Sequence, residues 1–297
     1  MTIQAPLVVK VGGARGIGGA ALLDDLAHHA RRRDLIVVHG GSDRVTALQE
    51  RLGRPARFLT SPTGQVSRHT DREELEAFAM ATGLVNRELV EGLLEREVLA
   101  LGLSGLDGRL VEGERKAAVR SVEDGRVRIV RDQWTGRPTR VDRELLDGLR
   151  ALGRLPVVAP LLAGPLGELL TTDADRLAAS LAAAAGGATL VILTNVPGLL
   201  EDVEREDSVV PHVAVDELDA AMDLAQGRMR KKLLGATEAL AGGVARVILA
   251  DARVEQPLTS ALAGRGTVIG AALDALTSTT AEPTRLSGTR QHAEVTA

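Results

Sequence analysis

The 297-residue sequence contains no cysteine and no tyrosine, and its only aromatic side chains are Phe58, Phe78 and Trp134. Without cysteine the chain has no disulfide scaffold, no thiolate metal site and no cysteine nucleophile. Three aromatic rings are too few for the stacking surface on which proteins bind single strands, and a net charge of −4 gives no general attraction to a phosphate backbone. We therefore expect no nucleic-acid partner.

Long hydrophobic runs are missing as well. No apolar stretch reaches the roughly 18 residues that a membrane-spanning helix needs. The first residues also lack the charged segment and long apolar segment of a secretory signal. With 44% hydrophobic and 26% charged residues, the composition is typical of a globular protein. These features predict a cytoplasmic protein that makes no contact with membranes.

Lysine is scarce, because only four of the 36 basic residues are lysine: Lys10, Lys116, Lys231 and Lys232. A compact ammonium group cannot be replaced by a planar guanidinium where space is tight. In a chain that uses arginine for most of its positive charge, each lysine is a candidate for a specific role. Chance retention is the alternative for any one of them.

Short runs of branched apolar residues alternate with amphipathic segments along the chain, which predicts alternating strands and helices. The runs that predict the main strands are 7–11, 35–38, 155–159, 189–193 and 247–250. This alternation indicates an α/β fold with an open, mainly parallel sheet sandwiched by helices. The segments 71–81 and 84–96 are predicted as two successive helices. We place a domain boundary near residue 170 and expect the polar, patternless residues 278–297 to be disordered.

The segment 109–140 differs from the rest of the chain in charge. It contains nine basic and five acidic residues, a local charge of +4 in a chain of net charge −4. Two strand candidates, 117–122 and 127–131, flank Glu123-Asp124-Gly125 and predict a hairpin. The segment is either a solvated hairpin or a docking surface for an acidic partner.

Two glycine turns follow the first two predicted strands. Residues 12–18 (GGARGIG) match the GxxxGIG fingerprint of short-chain dehydrogenases. Those enzymes need a catalytic tyrosine, which this chain lacks, and the second strand ends in His39-Gly40-Gly41-Ser42, without an acidic residue for a ribose. The favoured interpretation is that both turns lie at the carboxyl edge of a parallel sheet, where their backbone N–H groups and Lys10 bind an anion.

Six motifs occur in a fixed order along the chain. They are KVGG at 10–13, HGG at 39–41, SRHTD at 67–71, DAD at 173–175, LTNVPG at 193–198 and GRMRKK at 227–232. Together, over residues 6–270, they resemble the motifs of the amino acid kinase family, and more narrowly those of its acetylglutamate kinase branch. This resemblance implies an ATP-dependent enzyme that phosphorylates a carboxylate.

Several further segments are more similar to the LysW-dependent aminoadipate kinases of that branch. These are HGGS at 39–42, TSPTG at 60–64, LSGLDGR at 103–109, EGERK at 112–116 and RDQWTG at 131–136. In those enzymes the amino group of the substrate is capped by the C-terminal glutamate of a small acidic carrier protein. The resemblance implies that the chain makes an acyl phosphate on carrier-bound 2-aminoadipate or glutamate, in lysine or arginine biosynthesis. The alternatives are a kinase of free N-acetylglutamate and a catalytically silent sensing module.

The resemblance also assigns roles to residues. Lys10 and Lys232 neutralise the transferring phosphoryl group, Asp175 orients them, and Arg68 holds the α-carboxylate of the substrate. The remaining substrate-binding positions are Gly40, Gly41, Ser42 and Thr171, and the nucleotide-binding positions are Gly12, Gly13, Thr194, Asn195, Val196 and Gly198. No residue is assigned as a metal ligand, because Mg²⁺ arrives with ATP.

Two positions need separate comment. Thr171 stands where relatives carry an asparagine that assists Arg68, and its hydroxyl donates one hydrogen bond from a shorter arm. His39 is interpreted as a structural residue at a strand end, because a carboxylate nucleophile with a pKa of about 4 needs no base at neutral pH.

The resemblance extends to the organisation of the molecule. It implies an N-terminal substrate-binding and dimerisation domain of residues 1–170 and a C-terminal nucleotide-binding domain of residues 171–277. It also implies a homodimer, and a carrier protein that docks on the basic segment 109–140.

Overall fold

The structure is a computed structural model that describes residues 6–271, apart from 14–18, 63, 65, 187 and 188. The glycine-rich stretch 14–18 and the expected tail 278–297 therefore lie outside the described residues. The helices are α1 (Ala20–Ala30), α2 (Ser42–Arg51), α3 (Arg72–Leu94), α4 (Arg143–Ala151), α5 (Ala174–Ala184), α6 (Leu218–Leu224), α7 (Gly227–Ala241) and α8 (Pro257–Leu262). The strands are β1 (Leu7–Val11), β2 (Leu35–His39), β3 (Phe58–Thr60), β4 (Val66–Arg68), β5 (Ala100–Ser104), β6 (Val111–Arg115), β7 (Ala118–Glu123), β8 (Arg126–Arg131), β9 (Gly136–Val141), β10 (Leu155–Ala159), β11 (Leu161–Ala163), β12 (Leu169–Thr171), β13 (Thr189–Thr194), β14 (His212–Val213), β15 (Arg246–Asp251) and β16 (Thr267–Gly270).

Eight strands form one central sheet in the order β14-β16-β15-β13-β1-β2-β10-β5. Neighbouring strands are parallel except β15 and β16, which are antiparallel. The predicted open, mainly parallel sheet is therefore confirmed. Strands that precede residue 170 occupy one half of this sheet and strands that follow it occupy the other, while the division into two domains stays a prediction.

Successive side chains of a strand point to opposite faces of the sheet. Because the central strands are apolar at nearly every position, both faces are apolar and both are covered by helices. Val8 packs into a core formed mainly with α4, α5 and α7, whereas Val9 packs into a second core with α1, α3 and α8. Lys10 shares the face of Val8, so its side chain points towards α5 and α7. The alternation of one strand thus decides which helices can meet this lysine.

The prediction of two helices over residues 71–96 is wrong, since the structure has the single 23-residue helix α3. Its N-terminus is capped by Asp71, which accepts a hydrogen bond from the backbone N–H of Glu74 at 2.8 Å. Gly83 lies inside the helix with open space around its Cα. An interior glycine costs only about 1 kcal/mol relative to alanine, which the packing of a buried helix easily outweighs.

The predicted hairpin is confirmed, because β7 and β8 pair in antiparallel register from Ala118↔Arg131 to Glu123↔Arg126. The two residues of its turn, Asp124 and Gly125, have φ angles of 50° and 72°. Positive φ at both positions is the requirement of the turn that joins twisted antiparallel strands most closely. In the described part of the chain, no helix is long and apolar enough to cross a membrane.

A buried polar network joins the end of β2 to α3 and to the neighbouring strands. The side-chain amide of Asn86 donates to the carbonyl of Val157 at 2.8 Å and lies 3.1 Å from Nε2 of His39. The other ring nitrogen, Nδ1, lies 3.0 Å from the carbonyl oxygen of Gly40, which can only accept. The imidazole is therefore neutral with its proton on Nδ1. Burial, together with the positive charge of Lys10, lowers the pKa of His39 to about 4.

This network makes the stability of the fold depend on pH. The folded pKa of His39 lies below its unfolded value of about 6.5, so its contribution is complete above pH 6.5 and is lost as pH falls towards 4. We expect about 3 kcal/mol of stability to be lost across this window at 1.4 kcal/mol per pKa unit. The variant His39→Asn, which keeps a donor for Gly40, should reduce this slope in urea unfolding curves measured between pH 7 and 4, and the lowered pKa of His29 accounts for a remaining part. The control His28→Asn, at an exposed position of α1, keeps it; an unchanged slope in His39→Asn would contradict the assignment.

Candidate active site

The candidate site lies at the carboxyl edge of the sheet, where β1 and β2 end in their glycine turns. Gly40 donates its backbone N–H to the carbonyl of Val11 at 2.9 Å, which fixes the second turn against the end of β1. A Cβ atom on Gly13 would overlap the backbone of Gly40 and Gly41, and one on Gly40 would meet the backbone N of Gly13 at 2.9 Å. The two turns touch backbone to backbone, so only glycine fits there. This edge presents main-chain groups rather than side chains.

Asp175 joins two lysines beside these turns. Its Oδ1 lies 2.8 Å from Nζ of Lys10 on β1, and its Oδ2 lies 3.1 Å from Nζ of Lys232 on α7. Asp173 caps α5 by accepting from the backbone N–H of Asp175 at 2.9 Å and of Arg176 at 3.2 Å. Asp175 in turn occupies the first turn of that helix, where a negative charge is favoured by the helix dipole. The sequence motifs at 10, 175 and 232 therefore converge on one cluster.

Burial and charge act in opposite directions within this cluster. Burial alone would raise the pKa of Asp175, but the charges and hydrogen bonds of Lys10 and Lys232 lower it to about 2. Burial and the nearby charge of Lys10 lower the pKa of Lys232. With the carboxylate ionised and both amines protonated, the cluster carries one net positive charge. Such a buried surplus favours an anionic ligand.

Arg68 lies at the end of β4 and is held by side chains from α2 and α3. Its Nη1 donates to Gln49 at 2.5 Å and to Glu74 at 2.9 Å, and its Nη2 donates to Thr46 at 2.7 Å. A longer contact of 3.5 Å joins Nη2 to the carbonyl oxygen of Ser42, the first residue of α2. Nε has no partner among the residues that the structure describes. Nε is therefore the donor of this guanidinium that remains available to a carboxylate.

Sequence reasoning missed the side chains that fix this arginine. Gln49 and Glu74 are both buried, and the amide of Gln49 also donates to the second carboxylate oxygen of Glu74. The sequence shows that Glu74 is an acidic residue near the start of a predicted helix. It does not show that Glu74 is buried against Gln49, because that contact forms only when α2 packs on α3. Lys231 was also left without a role, and its Nζ donates to the carbonyl oxygen of Val66 on β4 at 2.6 Å.

Thr171 lies near these elements but its polar groups are already used. Its backbone N–H donates to the carbonyl oxygen of Trp134 at 2.9 Å, and its hydroxyl donates to the same oxygen at 3.4 Å. The backbone N–H of Trp134 donates in turn to the carbonyl oxygen of Thr70 at 2.7 Å. A ladder of main-chain bonds therefore connects β12 to the start of α3. No hydrogen bond joins Thr171 to Arg68.

The residues predicted to bind a nucleotide follow β13. Thr194 is buried at the strand end, where its carbonyl oxygen accepts from the backbone N–H of Ala252 at 2.7 Å, while Asn195 is exposed. Gly198 lies against β16, where a Cβ atom would meet the hydroxyl of Thr267 at 2.6 Å. Close packing thus explains this glycine without a ligand. Gly12, which donates its N–H to the carbonyl oxygen of Leu193 at 3.1 Å, lies beside the same strand end.

Known proteins resemble this chain over most of its length. It is 49% identical over 267 residues to the LysW-aminoadipate kinase of Thermus thermophilus, covering 89% of this chain and 99% of that protein. The LysW-aminoadipate kinase of Deinococcus radiodurans is 47% identical over 265 residues, which cover 89% of this chain and 91% of that protein.

A solved structure supports the fold. N-acetylglutamate synthase of Neisseria gonorrhoeae, complexed with coenzyme A and N-acetyl-glutamate, superposes with a TM-score of 0.74 at 22% identity. The match covers 90% of this chain but 60% of that longer one, and it concerns the fold alone. The model of the Amino acid kinase family matches residues 5–251. With its two glycine turns, its lysine–aspartate–lysine cluster and this match, the chain belongs to the amino acid kinase family.

Proposed function

We propose that this protein is an ATP-dependent kinase that phosphorylates the side-chain carboxylate of 2-aminoadipate bound to the carrier protein LysW, a step of lysine biosynthesis. The observation that carries the proposal is the cluster of Lys10, Asp175 and Lys232 beside two glycine turns. The names of the two relatives at 47–49% identity support the choice of substrate.

The proposed reaction uses the cluster as an electrostatic clamp. A carboxylate oxygen of the substrate attacks the γ-phosphorus of ATP, and the bond from that phosphorus to the bridging oxygen of ADP breaks. Negative charge spreads over the transferring phosphoryl group, and Lys10 and Lys232 stabilise it from two sides. Asp175 acts as a positioning residue, because its two oxygens hold both ammonium groups. No general base is needed, since the attacking carboxylate is ionised at neutral pH.

Binding roles follow from the same arrangement. Arg68 holds the α-carboxylate of the aminoadipate through Nε, and the backbone N–H groups of Gly41 and Ser42 line the acceptor side next to Gly40, whose own N–H is held by Val11. The nucleotide lies at the end of β13, along residues 194–198. Both oxygens of Asp175 are occupied by lysines, and the described residues contain no group of three acidic or histidine side chains placed to hold a metal ion. In this proposal Mg²⁺ enters on the phosphates of ATP, as in other ATP-dependent kinases.

The dimer implied by the sequence has a suitable surface at one end of the sheet. Strand β5 pairs only with β10 among the described strands, so its outer edge has unsatisfied backbone groups. Met80, Leu84 and Leu94 on α3 and Leu101 on β5 are exposed at the same end. An unpaired edge flanked by an apolar helix stripe is typical of an interface between subunits. We propose that a second copy of the chain covers it.

The substrate assignment is tested with the wild-type enzyme. We expect it to phosphorylate LysW-bound aminoadipate in the presence of ATP and Mg²⁺, measured as ADP release and as hydroxamate formed when hydroxylamine traps the acyl phosphate. Free N-acetylglutamate, assayed in parallel, is expected to be a poor substrate. Efficient phosphorylation of N-acetylglutamate with no reaction on the carrier conjugate would replace the proposal with an acetylglutamate kinase.

Lys232 is the residue whose removal tests the clamp. Because it stabilises charge that develops in the transition state, Lys232→Ala should lower kcat by about 100-fold or more, with a much smaller change in KM. The matched control is Lys231→Ala, since the side chain of Lys231 contacts the carbonyl of Val66 instead of Asp175. Similar kcat values for the two variants would remove Lys232 from the chemistry.

The dimer surface is tested by charge. The double variant Met80→Glu/Leu84→Glu places two carboxylates in the apolar stripe and should shift the mass measured by light scattering from a dimer to a monomer. Leu166→Glu serves as the control, because Leu166 is a fully exposed leucine on the turn between β11 and β12. A wild-type protein that is monomeric at micromolar concentration, or a double variant that stays dimeric, would refute this interface.

A further inference from the structure

The β7–β8 hairpin is a two-stranded sheet at the surface of the described chain. Its two strands pair with each other and with no other described strand. The inner face packs beside β3, where Ser121 is buried and the guanidinium of Arg57 lies 2.6 Å from the carboxylate of Glu123. A two-stranded hairpin is only marginally stable by itself in water, so the contacts of its inner face with β3 hold it in place.

The outer face of this hairpin combines apolar and cationic side chains. Alternation along the strands and the observed register place six residues on it, in the cross-strand pairs Ala118↔Arg131, Arg120↔Ile129 and Val122↔Val127. All six are exposed, and Val127 and Ile129 each expose 59% of their surface. Branched apolar side chains grouped on an exposed strand face mark an interaction surface rather than a solvated one.

The positive charge of the segment 109–140 is free mainly here. Elsewhere in the segment four arginines are paired, Arg109 and Arg140 with Glu112, Arg128 with Glu123, and Arg137 with Glu238, whereas Arg126 on the inner face of the hairpin has no ion pair with a described residue. Arg115 lies over the ring of Trp134, 3.6 Å from its centroid.

On the outer face, the side chains of Arg120 and Arg131 form no hydrogen bond or ion pair with any residue that the structure describes. The outer face carries no acidic side chain, so these two charges are not neutralised. A surface of this kind binds an acidic protein surface that also offers apolar side chains.

The base of the hairpin adjoins the candidate site. Strand β8 leads within three residues to Trp134, whose backbone bonds to Thr70 and Thr171. The inner face lies beside β3, which pairs with β4, the strand that ends at Arg68. A protein seated on the hairpin thus lies next to the strand pair that carries Arg68.

We propose that the outer face of the β7–β8 hairpin is the docking surface for the carrier that presents the substrate. This inference rests on the proposed function and narrows it. Acidic side chains of the carrier pair with Arg120 and Arg131, and apolar ones cover Val122, Val127 and Ile129. The arginines that pair within the chain keep the segment folded and take no part in docking.

Two double variants test the surface. Arg120→Glu/Arg131→Glu reverses its charge, and Val127→Thr/Ile129→Thr removes its apolar part while keeping residues that favour strands. The control Arg33→Glu/Arg154→Glu makes the same change of charge at exposed positions before β2 and β10, at the opposite edge of the sheet. Thermal melts verify that every variant folds.

Each enzyme is assayed at low and high salt with the LysW–aminoadipate conjugate and with N-acetylated aminoadipate, a small substrate. The charge reversal should raise KM for the conjugate about 10-fold or more at low salt, with a smaller effect at high salt, because screening weakens docking between opposite charges. The threonine variant should raise this KM at both salt concentrations. Turnover of the small substrate, and both activities of the control, should stay within about twofold of wild type.

The outcomes separate the two proposals. If the wild type phosphorylates the conjugate but both hairpin variants match it, the docking surface is wrong and the proposed function stands. A loss of the same size on the small substrate also overturns docking, because the hairpin would then act on the site itself. If the wild type ignores the conjugate, the proposed function fails and the docking surface fails with it.

Discussion

The buried carboxylate of Asp175 is the interaction on which the candidate site depends. It connects β1, α5 and α7 through Lys10 and Lys232, so three elements distant in sequence meet at one charge. Removing such a group from water is costly unless its partners compensate, and here two ammonium groups do so. The same arrangement leaves one positive charge in excess. An enzyme that transfers a phosphoryl group needs this surplus, because the protein contributes mostly position and charge to that reaction.

A second constraint comes from the spacing of neighbouring strands. Strands in a parallel sheet lie about 4.8 Å apart, so the turns after β1 and β2 must touch where they leave the sheet. Contact between Gly13 and Gly40 satisfies this spacing because neither residue has a side chain. An anion at that edge consequently meets main-chain groups of the turns, while the positive side chains come from Lys10 on β1 and Lys232 on α7. The spacing of the strands thus explains why the turns present main-chain groups and why the charged side chains come from other positions.

Much of this arrangement could be predicted from sequence, for physical reasons that differ between elements. The runs at 7–11 and 189–193 predict strands because both faces of the central sheet are buried. The Asp124-Gly125 turn predicts the hairpin because both positions need positive φ. The edge strand β5 was missed because its residues, ALGLS, include no β-branched side chain and one glycine, Gly102, which packs against Asn86. In the structure most of these residues are only partly buried. The two side chains that hold Arg68, Gln49 and Glu74, were missed because they meet only when α2 packs on α3.

The net charge counted along a segment of sequence differs from the charge that remains unpaired on its surface. Residues 109–140 carry a net +4, yet counting charges along a chain does not give the charge that a partner meets. Paired arginines lose much of their long-range field to the acid beside them, as Arg140 does to Glu112, whose pKa is lowered by that hydrogen bond. The field of the segment therefore comes mainly from side chains without acidic neighbours. Since Arg120 and Arg131 lie on one strand face with Val127 and Ile129, attraction at a distance and apolar contact at short range act at the same place.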